Sequence, residues 1–177
     1  QNINSVSLNV IQNNNWNTAV YNQRPSSTLG NRILFQQMNL TFPGNNEFYY
    51  FDNKNMNQAF DMVAGAETVE GINYTYLYPV WAFPLNFQFQ PDVNGAFYFR
   101  RNDLGIERVA DKEADYSWVY FALDSEKTDK EIYVLGGFND FIPTKQNQMF
   151  YDEAAKKFIA KIYLKQGFYN YILATKN

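Results

Sequence analysis

Apolar and polar residues alternate along this chain in short runs, most clearly between Lys130 and Ala174. Period-two alternation between turn signals predicts strands with one buried face. The pattern stops first at Gly136-Gly137, with Asn139-Asp140 and Ile142-Pro143 marking the break. It stops again at Asp152–Lys156 and at Lys165-Gln166-Gly167. The four strands left between those breaks follow the rhythm of an antiparallel sandwich.

Upstream the same reading continues. Val6, Leu8 and Val10 share one face of a first strand, and Asn13-Asn14-Asn15 makes a turn because Asn tolerates left-handed backbone. Residues 16–21 are ambiguous, and residues 31–42 read as a strand ended by Pro43-Gly44. In Glu47–Asp52, Phe48 and Tyr50 lie on one side and Tyr49 and Phe51 on the other, which predicts a central strand. Residues 58–63 form a further strand candidate, and 64–71 carry a helical flavour too short to stand alone. Residues 73–81 place Tyr74, Tyr76 and Tyr78 together, with Pro79 ending the strand or marking an edge. Residues 83–90 alternate as well, and Asn94-Gly95 is a hairpin turn before a return over 96–100.

Residues 101–112 are charged and poor in apolar side chains, which marks a linker. Beyond it, Tyr116, Trp118 and Tyr120 face one way and Val119, Phe121 and Leu123 the other. Trp118 is assigned to the core. The expectation is an all-β chain of two tandem immunoglobulin-like (E-set) antiparallel β-sandwiches, 1–106 and 107–177, with a single helical turn near Glu153–Lys156.

Composition narrows function more than fold. Tyr (14) and Phe (16) dominate the aromatics and suit pleated, half-buried surfaces. The net charge is −3 and no basic block exceeds a pair such as Arg100-Arg101, which argues against a nucleic-acid footprint. Cysteine and histidine are both absent, removing thiol catalysis, disulfides, most zinc sites and histidine triads. No apolar run is long enough for a transmembrane helix. There is no signal-peptide pattern, and the chain, which starts mid-pattern at Gln1, reads as processed or shortened.

Candidate chemistry is sparse. Asp111, Glu113 and Asp115, or Asp152 with Glu153, could serve a glycosidase only if two carboxylates converged across a sugar bond. They fall in a linker and a turn. Asp92, Asn94, Gly95 and Asp103 resemble part of a calcium loop, but its twelfth position is Asp rather than Glu. Nucleophile-elbow, phosphate-loop and dinucleotide motifs are missing. The expectation is therefore a non-enzyme without cofactor or metal. Trp16, Trp81, Trp118, Phe138 and Phe141 are the aromatic candidates for a sugar platform. Trp81, Phe83, Phe138, Asn139 and Phe141 are taken as partner-contact or glycan-contact residues.

Two resemblances sharpen this. YVLGGFNDF and KKFIAKIYLKQGFYNYIL are similar to the early immunoglobulin-like sandwich of glycogen-binding carbohydrate modules. The Trp that stacks on glucose there falls at Phe141, and the Lys following the family's Tyr falls at Ile172. That likeness implies weak α-glucan binding as the alternative function. Nearly the whole chain resembles the plug protein family of the type IX secretion system, through VIQNNNW, PGNNEFYYFD, DVNGAFYFR, EADYSWVYFAL, IYVLGGFNDF and LKQGFYNY. Family chains are longer, with a signal peptide and a further N-terminal region. The resemblance implies a periplasmic, outer-membrane-associated accessory without catalytic residues. Its partner would be the outer-membrane translocon barrel protein, which it seals while idle, and it would not itself span the membrane.

Overall fold

Strands form where two alternating runs can pair across a turn, and the turn residues decide where that happens. The structure, a computed structural model, describes residues 3–35, 40–42, 44, 48–81, 92–103 and 105–176. The chain divides into two units, Gln1–Asn46 and Glu47–Asn177.

The first unit holds two hairpins. Strands β1 (Leu8–Gln12) and β2 (Asn15–Gln23) pair antiparallel across Asn13 and Asn14. Both Asn residues have positive φ, 52° and 56°, the geometry of a two-residue hairpin turn. The ambiguous residues 16–21 thus lie inside β2. Strands β3 (Ser27–Leu29) and β4 (Arg32–Leu34) pair across Gly30, whose φ is 58°. Of the expected strand at 31–42 only β4 is seen, and part of that span lies outside the described residues. None of this unit's described side chains is buried. Two-stranded hairpins are marginal alone, so the second unit carries the core.

There the remaining strands are β5 (Tyr49–Asp52), β6 (Val63–Val69), β7 (Ile72–Leu77), β8 (Phe97–Phe99), β9 (Asn102–Asp103) and β10 (Ile106–Glu107). They are followed by β11 (Tyr116–Leu123), β12 (Ile132–Leu135), β13 (Gln148–Asp152), β14 (Lys157–Lys165) and β15 (Gly167–Thr175). The last four fall between the turn signals that the alternation marked. β9 and β10 make a small ribbon, and the other nine form one sheet in the order β5-β15-β12-β13-β14-β11-β7-β6, with β8 also on β15. β7 and β11 run parallel, joined by the long connection after Leu77, and every other pair in the sheet is antiparallel. The sheet curls until its outer strands approach: Tyr50 Oη donates to Asp61 Oδ1 at 3.0 Å, and Tyr49 Oη donates to the Trp81 carbonyl.

The fold is therefore nearly all β, but as one large, nearly closed, barrel-like sheet rather than two tandem immunoglobulin-like sandwiches. The expected boundary at residue 106 runs through its pairing, since β7 bonds β11 and both β5 and β8 bond β15. The two-stranded ribbon of β9 and β10 and one helical turn, Ala110–Glu113, occupy the expected linker. The helical turn expected near Glu153–Lys156 is instead a non-helical turn in which Asp152 Oδ1 accepts the N–H groups of Ala154 and Ala155. The 64–71 segment with helical flavour is strand β6, because pairing with β7 overrides local propensity. The expected central strand lies instead, over its described residues FYYFD (48–52), at the end of the strand order. Both its faces are covered all the same: Phe51 in the main core, Phe48 in a second cluster with Tyr133, Leu135 and Phe141.

The main core is aromatic. Phe51, fully buried, stacks on Tyr169 with centroids 5.0 Å apart and meets Phe121 and Tyr171 edge-on at 5.5 and 6.3 Å. Such pairs add about 0.5–1.5 kcal/mol each beyond burial. Tyr169 keeps its hydroxyl satisfied by donating to the Lys165 carbonyl at 2.6 Å. The parallel seam carries a buried hydroxyl pair, Thr75 Oγ1 and Ser117 Oγ, 2.8 Å apart. A buried polar pair of this kind is tolerated because each group satisfies the other.

Candidate functional site

The residues expected to make contacts are mostly architectural. After β12 the chain turns sharply through GGFNDF. Asn139 holds that corner with both ends of its amide: Oδ1 accepts the Gly136 N–H at 3.0 Å and Nδ2 donates to the Val134 carbonyl at 2.9 Å. Phe138 packs edge-on against Tyr169, with centroids 5.6 Å apart. A side chain on Gly136 would collide with Phe138 at 2.5 Å and with the Asn170 carbonyl at 2.6 Å. Asp140 and Phe141 take left-handed backbone, φ 53° and 55°, and Phe141 is 5% exposed against Phe48. A ring enclosed to that degree has no face for a sugar, so the position matching the glucose-stacking Trp is a core position. Trp81 is the exception at 68% exposure, just beyond the bridge between Val80 and Leu123. Phe83 lies outside the described residues. Trp81 and the corner are not neighbours in strand order, since one follows β7 and the other β12, with β11, β14 and β13 between.

The carboxylates are also engaged. Asp52, buried at the end of β5, accepts from Arg100 at 2.9 Å and from the Lys54 N–H at 3.0 Å. Burial pushes its pKa above the ordinary carboxylate value and outweighs the opposing pull of the Lys54 N–H, Arg100 and the Lys54 ammonium. Arg100 continues to Glu107 at 2.8 Å, and that hydrogen bond holds Glu107 below its usual value. Glu153 pairs with Lys127. Asp92 caps its own turn by accepting the Asn94 N–H. Among the described residues no three acids are grouped to hold a metal ion.

What the structure gathers instead is an aromatic face on the outside of the sheet. On β11 the inward residues are Ser117, Val119 and Phe121, all buried. Tyr116, Trp118 and Tyr120 therefore point outward, and the assignment of Trp118 to the core is corrected. Across the strands Trp118 lies opposite Tyr163 on β14 and Tyr74 on β7, and Tyr120 lies opposite Lys161 and Tyr76. Tyr76 stacks on Tyr120 at 5.0 Å and Tyr116 on Tyr163 at 5.3 Å. Strands sit about 4.8 Å apart, so stacking at this spacing stands the rings on edge, hydroxyls toward solvent. Tyr76 Oη donates to Glu67 at 2.8 Å, which pushes its pKa up to about 12. The Lys161 ammonium sits over Trp118 at 4.6 Å and over Tyr74 and Tyr120 at 5.4 Å each, within cation–π range. Tyr116 (45%) and Tyr163 (53%) stay exposed, and beyond them Phe150 on β13 is 62% exposed.

The alternation held a signal for this face, because it separated Tyr116, Trp118 and Tyr120 from Val119 and Phe121. It could not say which set turns inward, since both are apolar.

Comparison with known proteins adds a fold neighbour. No protein-family model matches the chain, and no curated protein matches it. A solved structure, a hypothetical protein from Parabacteroides merdae, is similar with a TM-score of 0.73 and 26% identity over 94% of this chain. The match covers 42% of that protein, so this chain spans less than half of its neighbour's length.

Proposed function

We propose that this chain works without chemistry, by protein–protein contact, as a periplasmic accessory that plugs the outer-membrane translocon barrel of the type IX secretion system. The resemblance of NEFYYFD, EADYSWVYFAL and LKQGFYNY to the plug family supplies the system and the compartment. The observation that carries the contact reading is the outward row of Tyr74, Tyr76, Tyr116, Trp118, Tyr120 and Tyr163 on three neighbouring strands. Aromatic residues are enriched where protein surfaces bind one another, and a barrel-like body holds them rigidly. Among the described residues no helix is long and apolar enough to cross a membrane. Burial of Phe141 leaves the α-glucan alternative without its stacking ring.

The test is co-purification of the tagged full-length protein with the type IX translocon barrel in mild detergent. Recovery of that barrel is expected, and reduced recovery with the paired substitution Trp118→Ala and Tyr163→Ala. Failure to recover the barrel under several mild detergents would overturn the reading.

A further inference from the structure

Charge on the aromatic face is arranged along one strand. Lys157, Lys161 and Lys165 recur at every fourth position of β14. They share the side opposite Phe158, Ala160 and Leu164, which are buried. On one side of them, β11 (YSWVYFAL) and then β7 (INYTYL) contribute no charged residue; on the other side β13 (QMFYD) contributes only Asp152, at its end. The acids near this surface lie at its border, each holding a hydrogen bond of its own. Glu67 accepts from Tyr76, Asp152 accepts two turn amides opposite Lys157, and Asp115 accepts the Tyr116 N–H. The charge at the centre of the face is thus lysine only, set among Trp118 and tyrosines, on a chain whose net charge is −3.

We infer that this face docks an extended acidic segment of a partner protein, laid along β14. The inference rests on the contact reading above and names its surface and the chemistry of its partner. At about 3.3 Å per residue, lysines four apart on a strand repeat every 13 Å or so. Acidic residues four apart in an extended partner repeat at the same interval. Lys161 is already held over three rings, so less side-chain freedom is lost when a carboxylate arrives. The tyrosine hydroxyls at the ring edges donate to whatever polar groups lie between the acids. A sugar fits worse: stacking needs open ring faces, and here those faces are taken by neighbouring rings and by Lys161.

The experiment is an amide NMR titration of the whole chain with a synthetic nine-residue peptide carrying Glu at its first, fifth and ninth positions and Ser or Thr between. Shifts are expected to cluster on residues 74–76, 116–120 and 157–165. Affinity should fall several-fold between low and high salt, because such charges are screened within about 10 Å at 0.1 M. Changing Lys157, Lys161 and Lys165 together to Gln should weaken binding by about tenfold or more. The dispersion of the same spectrum reports whether that variant is folded, and Lys161→Gln alone gives a milder second point. The inference is overturned if the shifts map elsewhere, or if none occur at millimolar peptide. It is equally overturned if a peptide with Lys in place of Glu, or a neutral oligosaccharide such as maltoheptaose, shifts the same amides equally. The titration needs no translocon, so its failure is separate from failure of co-purification. A triple Gln variant that still recovers the barrel normally would sink this inference and leave the plug reading standing.

Discussion

Strand β11 shows two kinds of aromatic surface on one backbone. Inward, Phe121 is enclosed by Phe51 and Tyr171 at 5.5 and 5.0 Å, both edge-on. Outward, Trp118 and Tyr120 have comparable neighbours at their sides, Tyr163 at 4.9 Å and Tyr76 at 5.0 Å, but only Lys161 above them. Ring count does not separate the two faces. Enclosure does, and it makes the inner face a stability element while the outer rings stay partly open to solvent.

The largest effect should come from the inner face. Phe51→Ala removes a stacked ring and two edge contacts and should cost about 3–5 kcal/mol in urea unfolding. A loss below about 1 kcal/mol would mean that the inner rings are not the core. Glycines sharpen the same contrast. A side chain on Gly167 would meet the Tyr98 carbonyl at 2.4 Å, whereas one on Gly65, across from outward Tyr76, meets nothing within 4 Å. Gly167→Ala should cost about 1–3 kcal/mol by forcing β8 off β15. Gly65→Ala should stay within about 0.5 kcal/mol, and equal losses at both sites would erase the distinction. Trp118→Ala, on the outer face, should cost only about 1 kcal/mol in the same assay while reducing partner recovery.

The smallest effect is a dependence on pH. Asp52 binds its proton more tightly folded than unfolded, because burial raises its pKa. Stability from that source is complete below the unfolded value and is lost as pH rises through the folded one. Wild type should therefore gain on Asp52→Asn as pH falls from neutrality into the carboxylate range. Glu107, whose pKa the Arg100 hydrogen bond lowers, should behave oppositely against Glu107→Gln, with wild type losing its advantage as pH falls. Parallel unfolding curves for wild type and Asp52→Asn across that range would contradict the first assignment.

Much of the strand content was legible because period-two alternation and turn chemistry act locally. Asn13-Asn14, Asn94 with Gly95 and Asp140 all take the left-handed backbone that their residue types permit. Sheet assembly was not legible. Nothing within residues 72–77 and 116–123 announces that those two runs pair parallel across a long connection. That seam, together with the pairing of β5 and β8 on β15, turns two expected sandwiches into a single curled sheet. The site was misread for a related reason. GGFNDF looks like an exposed loop because it is rich in glycine and polar residues, yet Asn139 satisfies the backbone from inside and Phe141 fills a second core. Trp118 looks like core because tryptophan is large and apolar. Its exposure is set by Val119 and Phe121 having taken the inside.

The central claim is that the outer face of β7, β11 and β14, and not the corner after β12, meets the partner. A photo-crosslinking residue placed at Tyr163 (53% exposed) tests it against one at Ile142 (51% exposed), which adjoins that corner. Irradiation in the presence of the translocon barrel should yield a crosslinked product from position 163 and none from position 142. Crosslinking from 142 with none from 163 would contradict the account.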